Sequence, residues 1–548
     1  RIWSTVLSVD SVGVNDNFFD LGGDSILSIQ IVARANQAGL GLTPRQLFEH
    51  QTVAELAAVA GMTAQSQAEQ GVVIGRVPLT PVQARFFEID QPELHHYNQA
   101  MLLAVNGPSD ATLFAKAFEQ LLLQHDALRF RYEMEGGPWL QTIAPPDDVV
   151  PFEMVDLSAA TDAEQRTLIS NHAARLQASL DLQNGPLMRI ALFDRGSERN
   201  GYVLIVIHHL SVDVVSWRIL LEDLQTLYRQ LSSGELLSLP RKTTSFKSWA
   251  EGLVDYARSP TLRDELDYWC GTRSNRAVRL PLDYPDGTNT TASARTVSLS
   301  LNADETDTLL HKVPTAFRTQ INEVLLAALV RAFGQWTGSE SLLVDLEGHG
   351  REEILEGVDL SRTVGWFTTI FPVLLDCGNS QTTVDALRTV KEQLRIIPNR
   401  GIGYGLLRYL NDDGVAKKLR DLPQAEVRLN YLGQVDRALL DSSMFKVATH
   451  PTGPAQSPKA ARVYLVNIIG SVSGGELRLA WTYSENIHRS ETIERLAQNY
   501  LDELRELIAQ SQSGEKVSFS PSDFPNANLS EADLRKVLDR ISAKRTEN

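Results

Sequence analysis

The side chains best suited to chemistry fall in four short strings. In Gly22-Gly23-Asp24-Ser25 a hydroxyl follows two glycines and precedes the apolar run that starts at Ile26. The glycines allow a sharp turn that leaves Ser25 exposed at a helix N-terminus, where free backbone N–H groups and the helix dipole favour a phosphate ester. An isolated Asp-Ser before an apolar run more often only caps the helix. In His208-His209, with Asp213 further on, the pair follows an apolar strand, and the period of two sends the imidazoles to opposite sides. One can face a cleft while the other packs. An imidazole at a strand end is a natural general base, and Asp213 suits an orienting or fold-holding role. Glu347 ends the apolar strand Leu342-Leu343-Val344-Asp345-Leu346, just before Gly348-His349-Gly350, and from there a carboxylate can reach across a cleft. Alone, such a glutamate is more often a solvated or ion-paired surface residue. Asn430 and Tyr431 carry donors that could serve an oxyanion, although an isolated Asn-Tyr usually makes a turn or a core contact. No metal is expected: histidines on opposite faces make a poor site, and Cys270 and Cys377 match no zinc spacing.

These residues need elements to hold them. Residues 1–62 read as a small helical bundle whose second helix starts at Asp24-Ser25, carries Ile26, Ile29 and Ala33 as an apolar stripe widened by Val32, and stops at Gly39. Capping boxes at Thr43-Pro44-Arg45-Gln46 and Thr52-Val53-Ala54-Glu55 open two further helices. Residues 63–76 form a linker, polar and without periodicity up to Gly71, which would let the bundle move. Beyond it, helices at 110–124 and 163–180 alternate with strands at 101–105 and 202–207. The turn-rich stretch 282–292 divides this region into two α/β lobes, 77–281 and 293–520. Residues 521–548 form a tail with a helix from Ser530 to Ile541 that either docks or links onward. The string Gly401-Ile402-Gly403-Tyr404-Gly405 lacks the lysine and following helix of a nucleotide loop and reads as a close-packed backbone bend.

With 548 residues the chain is too long for one core, and roughly 150 residues per domain gives about three or four units. Hydrophobic residues at 43% and charged residues at 22% are those of a globular protein. A net charge of −16 argues against nucleic acid or an anionic membrane as partner. The longest aliphatic run, from Val324 to Val330, is far short of the roughly 20 residues of a spanning helix. Two cysteines build no disulfide framework, which suits a reducing cytoplasm. Arg1-Ile2-Trp3 opens within an amphipathic helix, with no secretory signal, so the chain is expected to be cut from a longer polypeptide.

The string Asp16-Asn17-Phe18-Phe19-Asp20-Leu21-Gly22-Gly23-Asp24-Ser25-Ile26 closely resembles the peptidyl carrier protein of nonribosomal peptide synthetases. That resemblance implies 4'-phosphopantetheine attached to Ser25, with Gly23 and Asp24 at its foot, and the aspartate before the serine is typical of carriers that feed an epimerization domain. The string from His208 to Trp217 resembles the condensation-domain superfamily. Pro78-Leu79-Thr80-Pro81-Val82-Gln83, Leu346-Glu347-Gly348-His349-Gly350-Arg351-Glu352, Arg362-Thr363-Val364-Gly365-Trp366-Phe367-Thr368, Pro398 to Gly405 and Asn430-Tyr431-Leu432-Gly433 look like the ordered signature of its epimerization branch. The implied fold is an all-α four-helix carrier followed by a two-lobed chloramphenicol-acetyltransferase-like α/β domain. The implied activity is inversion of an L-aminoacyl or L-peptidyl thioester by Cα deprotonation and reprotonation, without redox cofactor. His209 and Glu347 would be the bases and Asn430 or Tyr431 would steady the enolate oxygen. His208, Asp213, Ser216, Trp217, His349 and Arg351 would hold the motifs. Implied partners are an upstream adenylation domain, a downstream condensation domain and a phosphopantetheinyl transferase. A condensation domain and a non-catalytic carrier-docking platform are the alternatives. Many relatives have glycine where this chain has Val214, whose side chain is expected either to narrow the passage beside His209 or to shift the loop slightly.

Overall fold

The computed structural model describes every residue except 63–67, 90, 108, 135, 148, 197–198, 272–276, 379, 436–443, 449, 514–518, 525–526, 528–532, 535, 538–539 and 541–548. The first five linker residues and most of the predicted helix from Ser530 to Ile541 therefore lie outside the described residues. No described helix is long and apolar enough to cross a membrane.

In the N-terminal bundle, helices Ile2–Leu7, Ser25–Gln37, Pro44–Glu49 and Val53–Val59 enclose Trp3, Phe18, Leu27, Ile31, Leu47 and Leu56. Both predicted capping boxes form. Gly23 is required by a close approach: a Cβ there would lie 2.4 Å from the Phe18 ring. The helix Ser25–Gln37 is apolar on two sides, which means burial against two partners. Leu27, Ile31, Val32 and Ala35 fill the bundle, whereas Ile26 and Ile29 join the core of the large domain. The stripe begun by Ile26 and Ile29 is thus a docking face rather than bundle interior.

The first lobe of the large domain is a five-stranded sheet in the order Phe445–Val447, Asn98–Val105, Tyr202–His208, Met188–Asp194 and Phe152–Asp156. Alternation along Tyr202–His208 sends Leu204 and Val206 towards Ile169 and Leu176 of helix Asp162–Gln177. Val203, Ile205 and Ile207 go to the opposite core, with Phe114 of helix Ala111–Gln124 and Leu224 of helix Val214–Ser233. The second lobe is a six-stranded sheet in the order Ala294–Leu301, Glu476–Ser484, Val466–Ser473, Val427–Gln434, Ser341–Gly348 and Thr369–Asp376. Helices Ile321–Thr337, Thr383–Arg395 and Ser490–Gln512 pack beside it.

Three details differ from expectation. Strand Phe445–Val447 leaves the stretch assigned to the second lobe and pairs with Asn98–Val105 of the first, because Phe445 is buried beside Phe114. The string from Gly401 to Gly405 is close-packed as expected, a Cβ at Gly401 or Gly403 lying 2.2 Å from Phe371 or 1.9 Å from Glu265, and the chain turns through positive φ up to Gly401. From there, however, it runs on as the helix Ile402–Tyr409, since buried Ile402, Leu406 and Leu407 recur at helical spacing. At the end of the linker, Gln70 exchanges hydrogen bonds of 3.0 Å with the Lys242 backbone, and Lys242 donates to the Gly71 carbonyl, so these residues are anchored.

The lobes are tied by a buried knot. Asp213 caps helix Val214–Ser233 by accepting from the Ser216 N–H, and the Arg351 guanidinium reaches it from the other lobe at 3.0 Å. Arg351 also donates to Ser216 Oγ, Phe367 N–H donates to Asp213, and Ser216 exchanges hydrogen bonds with the Gly365 backbone. The side chains of Arg351 and Asp213 are 2% and 6% exposed, so removing one partner strands a charge in a dry interior. Arg351→Met is expected to cost about 3–5 kcal/mol in urea unfolding. The double variant Asp213→Leu/Arg351→Met should cost less than the sum of the two single changes.

Candidate active site

Glu347 lies on strand Ser341–Gly348, and its parallel neighbour Val427–Gln434 is aligned so that Val344 pairs with Val427 and Leu346 with Leu429. With a period of two, Asp345, Glu347, Arg428 and Asn430 share one face, while Val344 and Val427 point into the core. The Glu347 carboxylate is held from both sides: Arg428 Nη1 sits 2.8 Å from Oε1, and Asn430 Nδ2 donates to Oε2. Burial pulls the Arg428 pKa down most strongly, but the Glu347 carboxylate together with Tyr464 and Tyr97 leaves Arg428 above its ordinary value. Arg428 is fixed in turn by Asn467 at 2.7 Å and by the Tyr464 ring beneath its guanidinium. Tyr464 donates to Asp345 and accepts from Arg85, both at 2.7 Å.

Across the cleft, strand Tyr202–His208 ends and His209 begins a short 3-10 turn. The His209 ring is stacked on Tyr97 and packs against Trp366, with centroids 5.4 and 4.3 Å away. Its Nδ1 lies 2.9 Å from the Val212 carbonyl oxygen. Burial lowers the His209 pKa, while backbone carbonyls and the charges of Glu347 and Asp213 pull it partly back. Its neighbour His208 is wholly buried: Nδ1 accepts from the Leu210 N–H, so Nε2 donates to the Leu94 carbonyl. Burial pushes His208 down to about 3, which leaves it neutral and structural. The two rings go to different surroundings, His209 between Tyr97 and Trp366 and His208 wholly buried, and His209 itself does not line the cavity that holds Glu347. Gln83, from the Pro78 to Gln83 string, donates to the Leu210 carbonyl and steadies the turn. His349 accepts from the Arg351 N–H through Nδ1 and leans towards Glu352, so it shapes the loop after Glu347.

The N-terminal bundle docks at the mouth of this cleft. Gln434 donates to the Gly22 carbonyl, the Arg45 N–H donates to Glu353, and the Arg400 guanidinium stacks on Phe48 at 4.0 Å. Between Tyr431 and Gln434 the strand bulges, and Gly433 takes φ +68°; a Cβ there would lie 2.3 Å from Asp24. A cavity of about 490 Å³ is lined at one end by Asp24 and Ser25 and elsewhere by Val214, Glu347, Asn430 and Tyr431. Asp24 caps the helix by accepting from the Ile26 and Leu27 N–H groups, so two donors expected to face a phosphate are already used. Tyr431 has its pKa raised by burial and by the Asp24 charge, so its hydroxyl stays protonated as a donor.

Comparison with known proteins fits this geometry. The condensation-domain family matches residues 73–530, and the phosphopantetheine attachment-site family matches residues 1–60. The chain belongs to the condensation-domain family. Its N-terminal bundle is a carrier domain with a phosphopantetheine attachment site. The whole resembles linear gramicidin synthase subunits C and B of Brevibacillus parabrevis, at 50% and 48% identity over 98% and 99% of the chain. The chain spans only 7% and 10% of those relatives. The crystal structure of the epimerization domain from the third module of tyrocidine synthetase B superposes with a TM-score of 0.75 at 36% identity, covering 82% of this chain and 99% of that one. The resemblance to a nonribosomal peptide synthetase carrier joined to an epimerization-type domain is therefore borne out.

The structure brings Ser25, Glu347, Asn430 and Tyr431 to one cavity of the condensation-type domain, with His209 close enough to feel Glu347. Asp213, Ser216 and Arg351 stand behind them in the knot. Sequence reading missed Arg428, which the period of two from Asn430 could have found, and Gln99, which no local spacing links to His209. For His208 the unfolded chain binds more protons than the folded one between the ordinary 6.5 and about 3. Stability should therefore fall as the pH drops from about 6.5 towards 3, and His208→Gln should flatten that slope in urea midpoints measured across pH.

Proposed function

We propose that this chain inverts the Cα of an aminoacyl or peptidyl group tethered as a thioester to its own carrier, from L to D. The observation that carries this reading is that Ser25 and Glu347 line one cavity, with His209 on the opposite lobe near enough for the Glu347 charge to raise its pKa. Ser25 would hold the phosphopantetheine, with Gly23 and Asp24 forming the turn at its foot. When attached, that arm presents the substrate as a thioester, whose carbonyl acidifies the Cα hydrogen.

The chain's own residues do the rest. His209, kept neutral by burial, can take a proton from one face of Cα. Glu347 stands on the other face, and a carboxyl there can deliver a proton or take one. The Arg428 and Asn430 contacts fix the plane in which it does so. The protonated Tyr431 hydroxyl is a donor for the carbonyl oxygen as charge develops on it, and the remaining N–H of Asn430 is a second. Val214 lines the passage and restricts the side chain that can pass. An adenylation domain would load the arm, a phosphopantetheinyl transferase would install it, and a downstream condensation domain would accept the D-configured product.

The test is solvent exchange. In deuterated water the protein with its loaded arm should exchange the Cα hydrogen and yield both configurations, read by mass spectrometry and chiral analysis. Ser25→Ala should take up no arm. His209→Ala and Glu347→Gln should each slow inversion by about 100-fold or more and impair different half-reactions. A condensation domain or an inert docking platform would give no exchange, and inversion at the parental rate in Glu347→Gln would remove Glu347 from the chemistry.

A further inference from the structure

His209 Nε2 is not open to the cleft on all sides. Gln99, next to the start of strand Asn98–Val105 and opposite Ile207, brings its side-chain amide nitrogen to 3.0 Å from this ring nitrogen. The other end of the same amide, Oε1, lies 2.7 Å from the indole nitrogen of Trp217, whose ring is buried on helix Val214–Ser233. An indole N–H can only donate, so Oε1 must be the end of Gln99 that faces Trp217, and the NH₂ end must face His209. A donor pointing at Nε2 requires a lone pair there. The ring proton is therefore on Nδ1, where the Val212 carbonyl oxygen accepts it at 2.9 Å. Three hydrogen bonds from Trp217 to Val212 leave only one self-consistent protonation state, the neutral ring, whose single Nε2 lone pair is held by the Gln99 N–H until an incoming substrate displaces it.

The same chain of bonds acts against the imidazolium. A proton on Nε2 would confront the Gln99 NH₂, and turning that amide over would set its N–H groups against the Trp217 N–H. We propose that Gln99, locked in orientation by Trp217, is a positioning residue that fixes the His209 tautomer and disfavours its protonated form, so that the ring gives up a proton as readily as it takes one. This rests on the epimerase reading, in which the base must be ready to act again in each turnover.

Other groups also act on this ring. Glu347 faces it from the second lobe and Asp213 from the start of helix Val214–Ser233, and both favour the cation. His208 precedes it, and Tyr97 stacks on it from the segment before Asn98. Arg428 and Arg351 neutralise the two carboxylates from behind. Gln99 is thus the one neutral group among them whose hydrogen bond selects the uncharged ring, and changing it tests the effect without altering any of the charged partners.

The experiment uses the full chain labelled with ¹⁵N-histidine, with His209 assigned by its loss in His209→Gln. Wild-type His209 should show the Nδ1–H tautomer and titrate below the ordinary imidazole range. Gln99→Glu, which replaces a donor by an acceptor, should raise its midpoint by about one unit or more. Gln99→Met, similar in shape but without a donor, should raise it less and release the tautomer into a mixture. The acid limb of Cα exchange should shift upward in step with each midpoint. Unchanged tautomer and midpoint in both variants, with urea midpoints showing that they fold, would overturn the proposal. If the wild type exchanges no Cα hydrogen but the histidine signals shift as described, the epimerase reading fails and the positioning role stands.

Discussion

The buried pair between Asp213 and Arg351 is the constraint on which the site depends. His209 and Glu347 belong to different lobes, and each precedes one member of this pair by four residues in sequence. A catalytic Cα held between two groups tolerates little change in their spacing, and a cleft between lobes would otherwise open and close freely. The knot removes that freedom where it matters. Asp213 also caps the helix that carries Trp217, and Arg351 lies over the Phe367 ring next to Trp366, which packs on His209. One ion pair thereby orients the imidazole on one side and the loop after Glu347 on the other. Its desolvation is costly, and the hydrogen bonds made with Ser216 and Phe367 offset part of that cost, although the buried Arg351 Nε has no partner among the described residues.

A second constraint acts at the mouth. The helix that begins at Ser25 buries one face in its own bundle and offers Ile26 and Ile29 to the large domain. Ser25, next to Ile26, is brought to the cleft by that docking face rather than by its own contacts. Around that face lie hydrogen bonds from Gln434 to Gly22 and from Arg45 to Glu353, and the Arg400 guanidinium over the Phe48 ring.

Much of this was legible in the sequence because the signals were local. The capping boxes, the turn before Ser25 and the alternation that separates His208 from His209 each depend on residues within a few positions. The parts that escaped depend on distant pairings. Nothing near Gln99 announces that it will meet Trp217 and His209, and Phe445 joins the other lobe only because a space beside Phe114 exists in three dimensions. Arg428 lies in between: its place two residues before Asn430 put it on the right face, but its ion pair needed the register with the Glu347 strand. In the Gly401 to Gly405 string the glycines mark the close packing and the turn at Gly401, but the helix beyond it rests on buried Ile402, Leu406 and Leu407, which the glycines mask.

The proposed inversion requires a tethered Cα to come to rest between His209 and Glu347. A crystal structure with Ser25 carrying a phosphopantetheine arm that ends in a stable aminoacyl amide would locate it directly. The expected result is the Cα between His209 Nε2 and the Glu347 carboxylate, with the two groups on opposite faces and the carbonyl oxygen towards Tyr431. An ordered arm that leaves the Cα on one side of both groups, or outside the cavity that Ser25 and Glu347 share, would contradict it.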